Sequence, residues 1–222
     1  MRQRLWRVVR LLLLAAAGWY ALCLLGLVYL RWLPPVTTGV QIQRRIESWT
    51  APGEYRKRMT WRALDDLPRH VPRAVVAAED ARFYDHHGFD WEELGKAGDA
   101  ARRGRPMRGA STITQQLVKN VFLTTHRSLL RKAVEYALTP PAELILGKKR
   151  ILELYLNVIE WGDGIYGIEA ASRHYYGRPA TKLGREQAAR LAAIVPNPRQ
   201  RRPERMGWYA AIILERMRQM GW

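Results

Sequence analysis

The sequence predicts a mostly α-helical domain that follows one membrane-spanning helix. Apolar residues recur at helical spacing through most of the chain after about residue 68, strand-like alternation is nearly absent, and residues 11–30 are uncharged. Hydrophobic residues make up 48% of the 222 residues, which is enough apolar material for one domain of ordinary size. The composition therefore excludes both a large multidomain enzyme and a disordered basic tail.

The N-terminal segment has the features of a membrane anchor. Residues 1–10 contain four arginines and no acid, and residues 11–30 as a helix would span roughly 30 Å, the thickness of a bilayer's hydrocarbon core. The positive-inside bias places residues 1–10 in the cytoplasm and the chain after the span on the outer side. A cleaved signal peptide is the main alternative, but the run is long for a signal core and lacks small residues at a cleavage position.

The rest of the chain divides into a linker and a domain. Residues 31–67 are interpreted as a linker, because Pro34-Pro35 and Pro52-Gly53 interrupt the pattern, and residues 68–222 as the domain. A first helix is expected from about residue 68 through Phe83, with Gly88 after its end. Further helices are expected at about 90–103, 111–121, 127–138, 148–160, 167–176, 185–195 and 204–220.

Charge and cysteine content limit the classes of function. The chain carries 37 Lys+Arg against 20 Asp+Glu, a formal charge of +17, and its one cysteine, Cys23, lies within the uncharged run. Zinc ribbons and thiol enzymes are therefore excluded for the outer part. On the outer side of a membrane the available anions are lipid head groups, pyrophosphate-linked lipids and anionic wall polymers, so no nucleic-acid partner is expected.

Glu79 is the first candidate catalytic residue. It falls on the same helix side as Val75 and Val76, and partial desolvation there would raise its pKa toward the range of a general base. The alternative is a capped helix end with solvated charges. His86 and His87 are adjacent and point apart, which argues against a two-histidine metal site.

Two further segments are rich in anion-binding groups. Gly109, Ser111 and Thr112 offer amides and hydroxyls at a helix N-terminus, where an anion is favoured, and Gln115, Gln116, Lys119 and Asn120 extend this polar face by helical steps. Arg131, Lys132 and Glu135 form a charged group that could equally be a surface ion pair. Residues 162–167 match a dinucleotide-binding pattern, but a helix precedes them and no acid stands at Gln187, so they are interpreted as a tight turn between helices.

Taken in order, these segments resemble the peptidoglycan glycosyltransferases of glycosyltransferase family 51. The first signature is matched by Glu79, Asp80, Phe83, His86 and Gly88, and the second by residues 109–116 with Lys119 and Asn120. The remaining signatures resemble Arg131-Lys132 with Glu135, Lys148 with residues 151–157, and the turn at 162–167. The sequence departs from the pattern at Thr139-Pro140-Pro141, where a continued helix would be expected after Glu135.

The resemblance implies a lysozyme-like α fold and a defined reaction. Lipid II would be polymerised into β-1,4 glycan strands with release of undecaprenyl pyrophosphate, and the absence of a Ser-x-x-Lys motif indicates no transpeptidase activity. Glu79 would be the general base, Lys119, Arg131 and Lys132 would stabilise the pyrophosphate, and Glu135 would act through a divalent metal (Mg or Mn) or by orienting the donor side. Substrate binding is also expected from Asp80, Phe83, His86, Ser111, Thr112, Gln115, Gln116, Asn120, Lys148 and Glu153.

Two alternatives remain at this level. A glycan-cleaving lysozyme or lytic transglycosylase would share the fold, and a non-catalytic scaffold could bind anionic wall polymer by charge. The expected location is the bacterial inner membrane, single-pass, with the domain on the periplasmic side. Lipid II, the growing strand, the membrane and other cell wall synthesis or division proteins are the expected partners. The basic residues Arg199, Arg201, Arg202 and Arg205 lie outside the motifs and are expected to face solvent or lipid head groups.

Overall fold

A computed structural model describes residues 2–50, 55–104, 109 and 111–222, and within them the fold is mostly helical, as predicted. Pro52-Gly53 of the linker and Ala110 of the second signature lie outside the described residues. The nine α-helices of this part of the chain are α1 (Arg2–Trp32), α2 (Gly39–Glu47), α3 (His70–Glu79), α4 (Trp91–Arg102), α5 (Ile113–Phe122), α6 (Leu129–Val158), α7 (Ile168–Tyr176), α8 (Arg185–Ile194) and α9 (Gly207–Gln219).

The core forms where α5 packs on α6 and where α3 packs on α8 and α9. The apolar row that the sequence predicts for the second half of α6 is buried: Ile151 and Tyr155 are 0% exposed. Trp161 and Phe83 are buried with them. Each large apolar side chain removed from water contributes about 1.5–3 kcal/mol, so this row fixes α6 as the central helix.

A small sheet occupies the turn between α6 and α7. Strands β1 (Arg58–Met59), β2 (Glu160–Gly162) and β3 (Ile165–Tyr166) pair in the order β1-β3-β2, with β1 parallel and β2 antiparallel to β3. The turn expected at 162–167 is therefore a β-hairpin. Strands of two or three residues are too short to show a period of two in sequence, which is why none was expected.

Helix α6 differs from the two helices expected at 127–138 and 148–160. It runs without a break through Pro140 and Pro141, and the only non-helical residue within it is Gly147, at φ 70°. The two prolines remove the backbone donors for the carbonyls of Tyr136 and Ala137. The Ala137 carbonyl accepts a hydrogen bond from the Tyr20 hydroxyl of α1 at 3.0 Å instead, so the helix continues.

Helix α1 has two distinct halves. Residues 2–19 are exposed, whereas Cys23, Leu27 and Leu30 are buried against the domain, and α1 packs on α6. The helix begins nine residues before the uncharged run because arginine and leucine are good helix formers. With a mean hydropathy of 2.3 over its most apolar window, α1 is long and apolar enough to cross a membrane.

The segment interpreted as a linker contains an ordered helix. The Thr38 hydroxyl caps α2 by accepting from the Gln41 backbone N–H at 3.3 Å, and α2 packs against α5. A Cβ added at Gly39 would lie 2.3 Å from the Leu123 carbonyl oxygen, so only glycine permits this close approach. Part of residues 31–67 thus belongs to the folded domain.

Candidate active site

Glu79 is the last residue of α3, and the helix ends there instead of continuing to Phe83. Asp80 leaves the helical conformation, with φ −161° and ψ 73°. Its carboxylate accepts a hydrogen bond from the backbone N–H of Ile113 at 2.9 Å and lies 2.9 Å from His86 Nε2. These bonds tie the end of α3 to the start of α5, so the predicted longer helix is wrong and Glu79 projects toward α5.

The Glu79 carboxylate is held by a chain of hydrogen bonds. Gln116 Nε2 donates to Glu79 Oε2 at 2.9 Å, and the Tyr155 hydroxyl donates to Gln116 Oε1 at 2.8 Å. Burial raises the pKa of Glu79, while the Gln116 hydrogen bond and the charges of Lys119 and Arg201 oppose this shift. A carboxyl group with a raised pKa in this position is suited to accept a proton at neutral pH.

The second candidate carboxylate, Glu135, orders two cations. Its side chain is buried, Arg131 Nη1 donates to Oε2 at 2.7 Å, and the Lys132 ammonium pairs with Oε1. The Lys132 ammonium also donates to the Ser111 hydroxyl at 3.1 Å. The structure thus brings the second and third signatures together, with one negative charge between two positive ones.

Lys119 lies between Glu79 and this cluster. Within the described residues its ammonium makes no hydrogen bond or ion pair, although both Glu79 and Glu135 act on it electrostatically. Burial lowers the pKa of Lys119, and the charge of Glu135 opposes the shift. A half-buried cation without a hydrogen-bonding partner is well placed to receive an anionic ligand.

A cleft of about 250 Å³ opens beside Lys119. Gln116, Lys119 and Asn120 of α5 form one side of it. The lining residues that were not predicted as site residues include Arg44 of α2, Tyr155 and Glu160 around the end of α6, and Arg199 of the loop after α8. The Tyr155 ring is buried in the core, and only its hydroxyl reaches Gln116. Arg199 directly follows Pro196-Asn197-Pro198, which lines the same cleft.

The basic cluster after α8 is only partly a solvent-facing surface. Arg202 and Arg205 are exposed as expected. Arg199 instead lines the cleft, and Arg201 is half-buried, donates to the Ala193 carbonyl at 2.8 Å and acts on Glu79 electrostatically. Arg199 is nevertheless exposed, so the expectation of a solvent-facing side chain fails only for Arg201.

Other predicted site residues are occupied by contacts within the protein. Thr112 and Gln115 form the capping box of α5 and are buried. The Lys148 ammonium lies 4.4 Å from the centre of the Phe83 ring and pairs with Glu143 at 2.8 Å. Glu153 accepts from the Leu64 backbone N–H at 3.1 Å and pairs with Arg150 of α6, so these contacts do not involve Glu79.

Asp80, His86 and Asp90 form a buried group that could hold a metal ion. One ligand atom from each lies within 4.8 Å of the others. The Gly88 N–H donates to His86 Nδ1 at 3.1 Å, so Nε2 carries the ring proton and faces Asp80, and Asp90 caps α4. A metal would have to replace these hydrogen bonds. The hydrogen bonds themselves are typical of a structural cluster, here at the junction of α3, α4 and α5.

Comparison with known proteins identifies the family of this chain. A family model described as transglycosylase matches residues 44–219. The chain belongs to this family. The match spans every one of the signatures that resemble glycosyltransferase family 51, so that resemblance is confirmed, as is the expected fold class of a mostly α, lysozyme-like domain behind one apolar helix.

Similar transglycosylases cover nearly the whole chain. A protein of Dechloromonas aromatica (strain RCB) is 46% identical over 220 residues, covering 95% of this chain and 95% of its own length. One of Chromohalobacter salexigens is 43% identical over 224 residues, covering 99% and 96%, and one of Ectopseudomonas mendocina is 46% identical over 196 residues, covering 86% and 81%. All three are named biosynthetic peptidoglycan transglycosylases.

Proposed function

We propose that this transglycosylase is a monofunctional peptidoglycan glycosyltransferase of cell wall biosynthesis. It joins lipid II units into β-1,4 glycan strands and releases undecaprenyl pyrophosphate. The observation that carries the proposal is the position of Lys119 between Glu79, a carboxylate with a raised pKa, and the Arg131/Lys132 pair. A glycan-cleaving enzyme releases a sugar and has no use for three cations beside its carboxylate.

Glu79 accepts the proton of the acceptor 4-hydroxyl as that oxygen attacks the donor sugar. Its Oε2 is held by Gln116, which Tyr155 holds in turn, so the carboxylate has one fixed direction. Burial weakens its solvation and raises its basicity. Orientation and basicity together are what a general base requires.

Lys119, Arg131 and Lys132 stabilise the negative charge that develops on the departing pyrophosphate. Glu135 keeps Arg131 and Lys132 in place, and Ser111 adds a hydroxyl to the same group. Cations that are already ordered stabilise a transition state without reorganisation at the moment of reaction. Gln116 and Asn120, which line the cleft, bind the saccharide beside them.

The residues around Glu135 do not fit a divalent metal at the pyrophosphate. Both of its carboxylate oxygens already pair with cations, one with Arg131 and the other with Lys132. A divalent ion there would lie beside two fixed positive charges, which repel it. Of the two roles expected for Glu135, the structure supports orientation of the donor side.

Residues 11–30 of α1 anchor the enzyme in the bacterial inner membrane, with residues 1–10 in the cytoplasm and the domain in the periplasm. Four arginines before an apolar stretch support this orientation. The growing strand and other cell wall synthesis or division proteins are its partners on that side. A reporter that is active only in the cytoplasm is expected to be silent when fused after residue 60, and activity there would contradict the orientation.

Polymerisation of labelled lipid II by the full-length protein in detergent tests the function, with finished glycan as a second substrate. We expect long glycan products from lipid II and no digestion of the finished glycan. Digestion without polymerisation would assign the protein to the glycan-cleaving class. Binding of glycan with neither reaction would indicate a scaffold.

A further inference from the structure

A second cavity, of about 340 Å³, opens beside the β2–β3 hairpin and shares no lining residue with the catalytic cleft. Its walls come from the segment leading into β1, from the hairpin turn, from α7 and from the loop before α9. It is larger than the cleft beside Lys119, and nothing in the mechanism uses it. Its lining is Tyr55, Arg56, Arg58, Asp163, Gly164, Ile165, His174, Tyr175 and Arg202.

Most of the charged side chains around this cavity are positive. Neither Arg58 nor Arg202 has a carboxylate within ion-pair distance in the described parts of the chain. The acid that lines the cavity, Asp163, pairs with Arg199 at 3.0 Å. Burial lowers the pKa of His174, and the charges of Arg58 and Arg202 lower it further. Neighbouring cations that repel one another create a positive potential that an anion would relieve.

Two tyrosine rings give the cavity fixed walls. The Tyr55 hydroxyl donates to the Tyr166 hydroxyl at 3.2 Å, and the Tyr175 hydroxyl donates to the Trp161 carbonyl at 3.0 Å. Both partners are buried residues of the hairpin, so the rings are held before any ligand arrives. Fixed aromatic faces beside guanidinium groups suit a ligand that has a ring-shaped body and an anionic group.

The Arg199–Asp163 ion pair connects the two cavities, because Arg199 lines the catalytic cleft and Asp163 lines the second cavity. We propose that the second cavity is an anion-binding site that holds a phosphate or carboxylate group of the saccharide chain outside the catalytic cleft. This inference rests on the proposed function, since the saccharide is its substrate or product. By holding the strand between additions, the site favours long products.

Calorimetric titration of the full-length protein in neutral detergent tests the site directly. Inorganic pyrophosphate is the phosphate probe and N-acetylmuramic acid the carboxylate probe. We expect pyrophosphate to bind at two sites, of which Arg58→Ala/Arg202→Ala removes one and Lys119→Ala/Arg131→Ala the other. Loss of two charge-assisted donors should weaken binding by about tenfold or more. The probe that binds the second site more tightly identifies the anion.

The matched control is Arg178→Ala/Arg205→Ala, which removes two exposed charges outside the cavity. It is expected to bind both probes like the unaltered protein. An equal loss of probe binding in Arg58→Ala/Arg202→Ala and in the Arg178→Ala/Arg205→Ala control would overturn the proposal. No loss of probe binding in Arg58→Ala/Arg202→Ala would overturn it as well. An effect seen only with anionic vesicles would indicate membrane contact and would overturn it as well.

Product length gives the functional readout. Arg58→Ala/Arg202→Ala is expected to shorten the glycan made from lipid II while leaving the rate of a single condensation unchanged. Products of normal length would contradict a role in retaining the strand. Failure of the proposed function is a separate result: the protein would then not polymerise lipid II, whereas binding of the probes at the second cavity would be unaffected.

Discussion

Gln116 contacts both Glu79 and Tyr155, so one side-chain amide connects the proposed general base to the core face of α6. Replacement of Glu79 by Gln keeps the shape of the side chain and removes its basicity. Polymerisation of lipid II should fall by at least about a hundredfold, the low end for general base catalysis, while substrate binding persists. A variant that polymerises at the normal rate would contradict the role of Glu79.

The pH dependence of the reaction follows from opposite shifts at Glu79 and Lys119. Burial raises the pKa of Glu79 and lowers that of Lys119, and the proposed mechanism needs Glu79 ionised and Lys119 charged. Activity should therefore fall as pH decreases through the raised pKa of Glu79, and fall again as pH increases through the lowered pKa of Lys119.

Replacement of Gln116 by Leu tests which group sets the acidic limb of that profile. The Gln116 hydrogen bond lowers the pKa of Glu79, so its loss should move the acidic limb of kcat/KM to higher pH. The matched control is Gln115→Leu, one position away, because Gln115 caps the α5 N-terminus and has no bond to Glu79. If the acidic limb of kcat/KM does not move in Gln116→Leu, a group other than Glu79 sets that limb.

For single residues, most of the cluster could be predicted from sequence, whereas part of the cleft could not. Glu79, Lys119, Arg131 and Lys132 stand in motifs that resemble those of the family, and this resemblance, not their spacing along the chain, predicted their shared location. Arg44 could not be, because it reaches the cleft only through the packing of α2 on α5. Long-range packing leaves no local pattern around such a residue.

Among the elements, α6 connects α1 to the cations around Glu135. It carries Arg131 and Lys132 near its start, and about one and a half turns later the Ala137 carbonyl accepts from Tyr20 because Pro141 has no N–H. Replacement of Tyr20 by Phe should therefore destabilise the protein by about 0.5–1.5 kcal/mol, the usual net value of one hydrogen bond. Thermal unfolding in detergent measures the effect.

The Pro141→Ala variant is the second arm of this test. It restores the backbone donor for the Ala137 carbonyl, so Tyr20→Phe should cost much less in that background. Equal costs in both backgrounds would show that the Tyr20 hydroxyl does not replace the donor that proline lacks. The kink at Gly147 agrees with the helix expected from residue 148, whereas the first helix does not end at about residue 138 but continues through the prolines to this kink.

For the whole molecule, the sequence predicts the class of fold better than its boundaries. The period of the apolar residues indicated the helices, and the uncharged run indicated α1. The contribution of α1 to the core could not be predicted, because the apolar sequence pattern of a helix is the same whether the helix faces lipid or protein. Only the burial of Cys23, Leu27 and Leu30 separates its two halves.

Two deletions test this division of α1. Removal of residues 2–18 should leave the unfolding temperature of the domain nearly unchanged, because those residues are exposed. Removal of residues 2–32 takes away Leu27 and Leu30 and should destabilise the domain by about 3–6 kcal/mol, as two buried leucines are lost. Thermal unfolding of both proteins in detergent provides the comparison, and equal unfolding temperatures would contradict a structural role for the second half.

The packing of α1 on α6 also sets how deep the enzyme sits. With residues 11–30 in the bilayer as proposed, only residues 11–19 lie below the first contact with α6, a rise of about 14 Å. That is roughly half the hydrocarbon thickness, so the stretch of α6 from Ala137 to Ile145 that runs beside α1 is immersed in the outer leaflet. Leu144, which is 85% exposed, then faces acyl chains. A bound lipid substrate can then keep its tail in the hydrocarbon core throughout the reaction, while only its sugars reach the membrane–water interface.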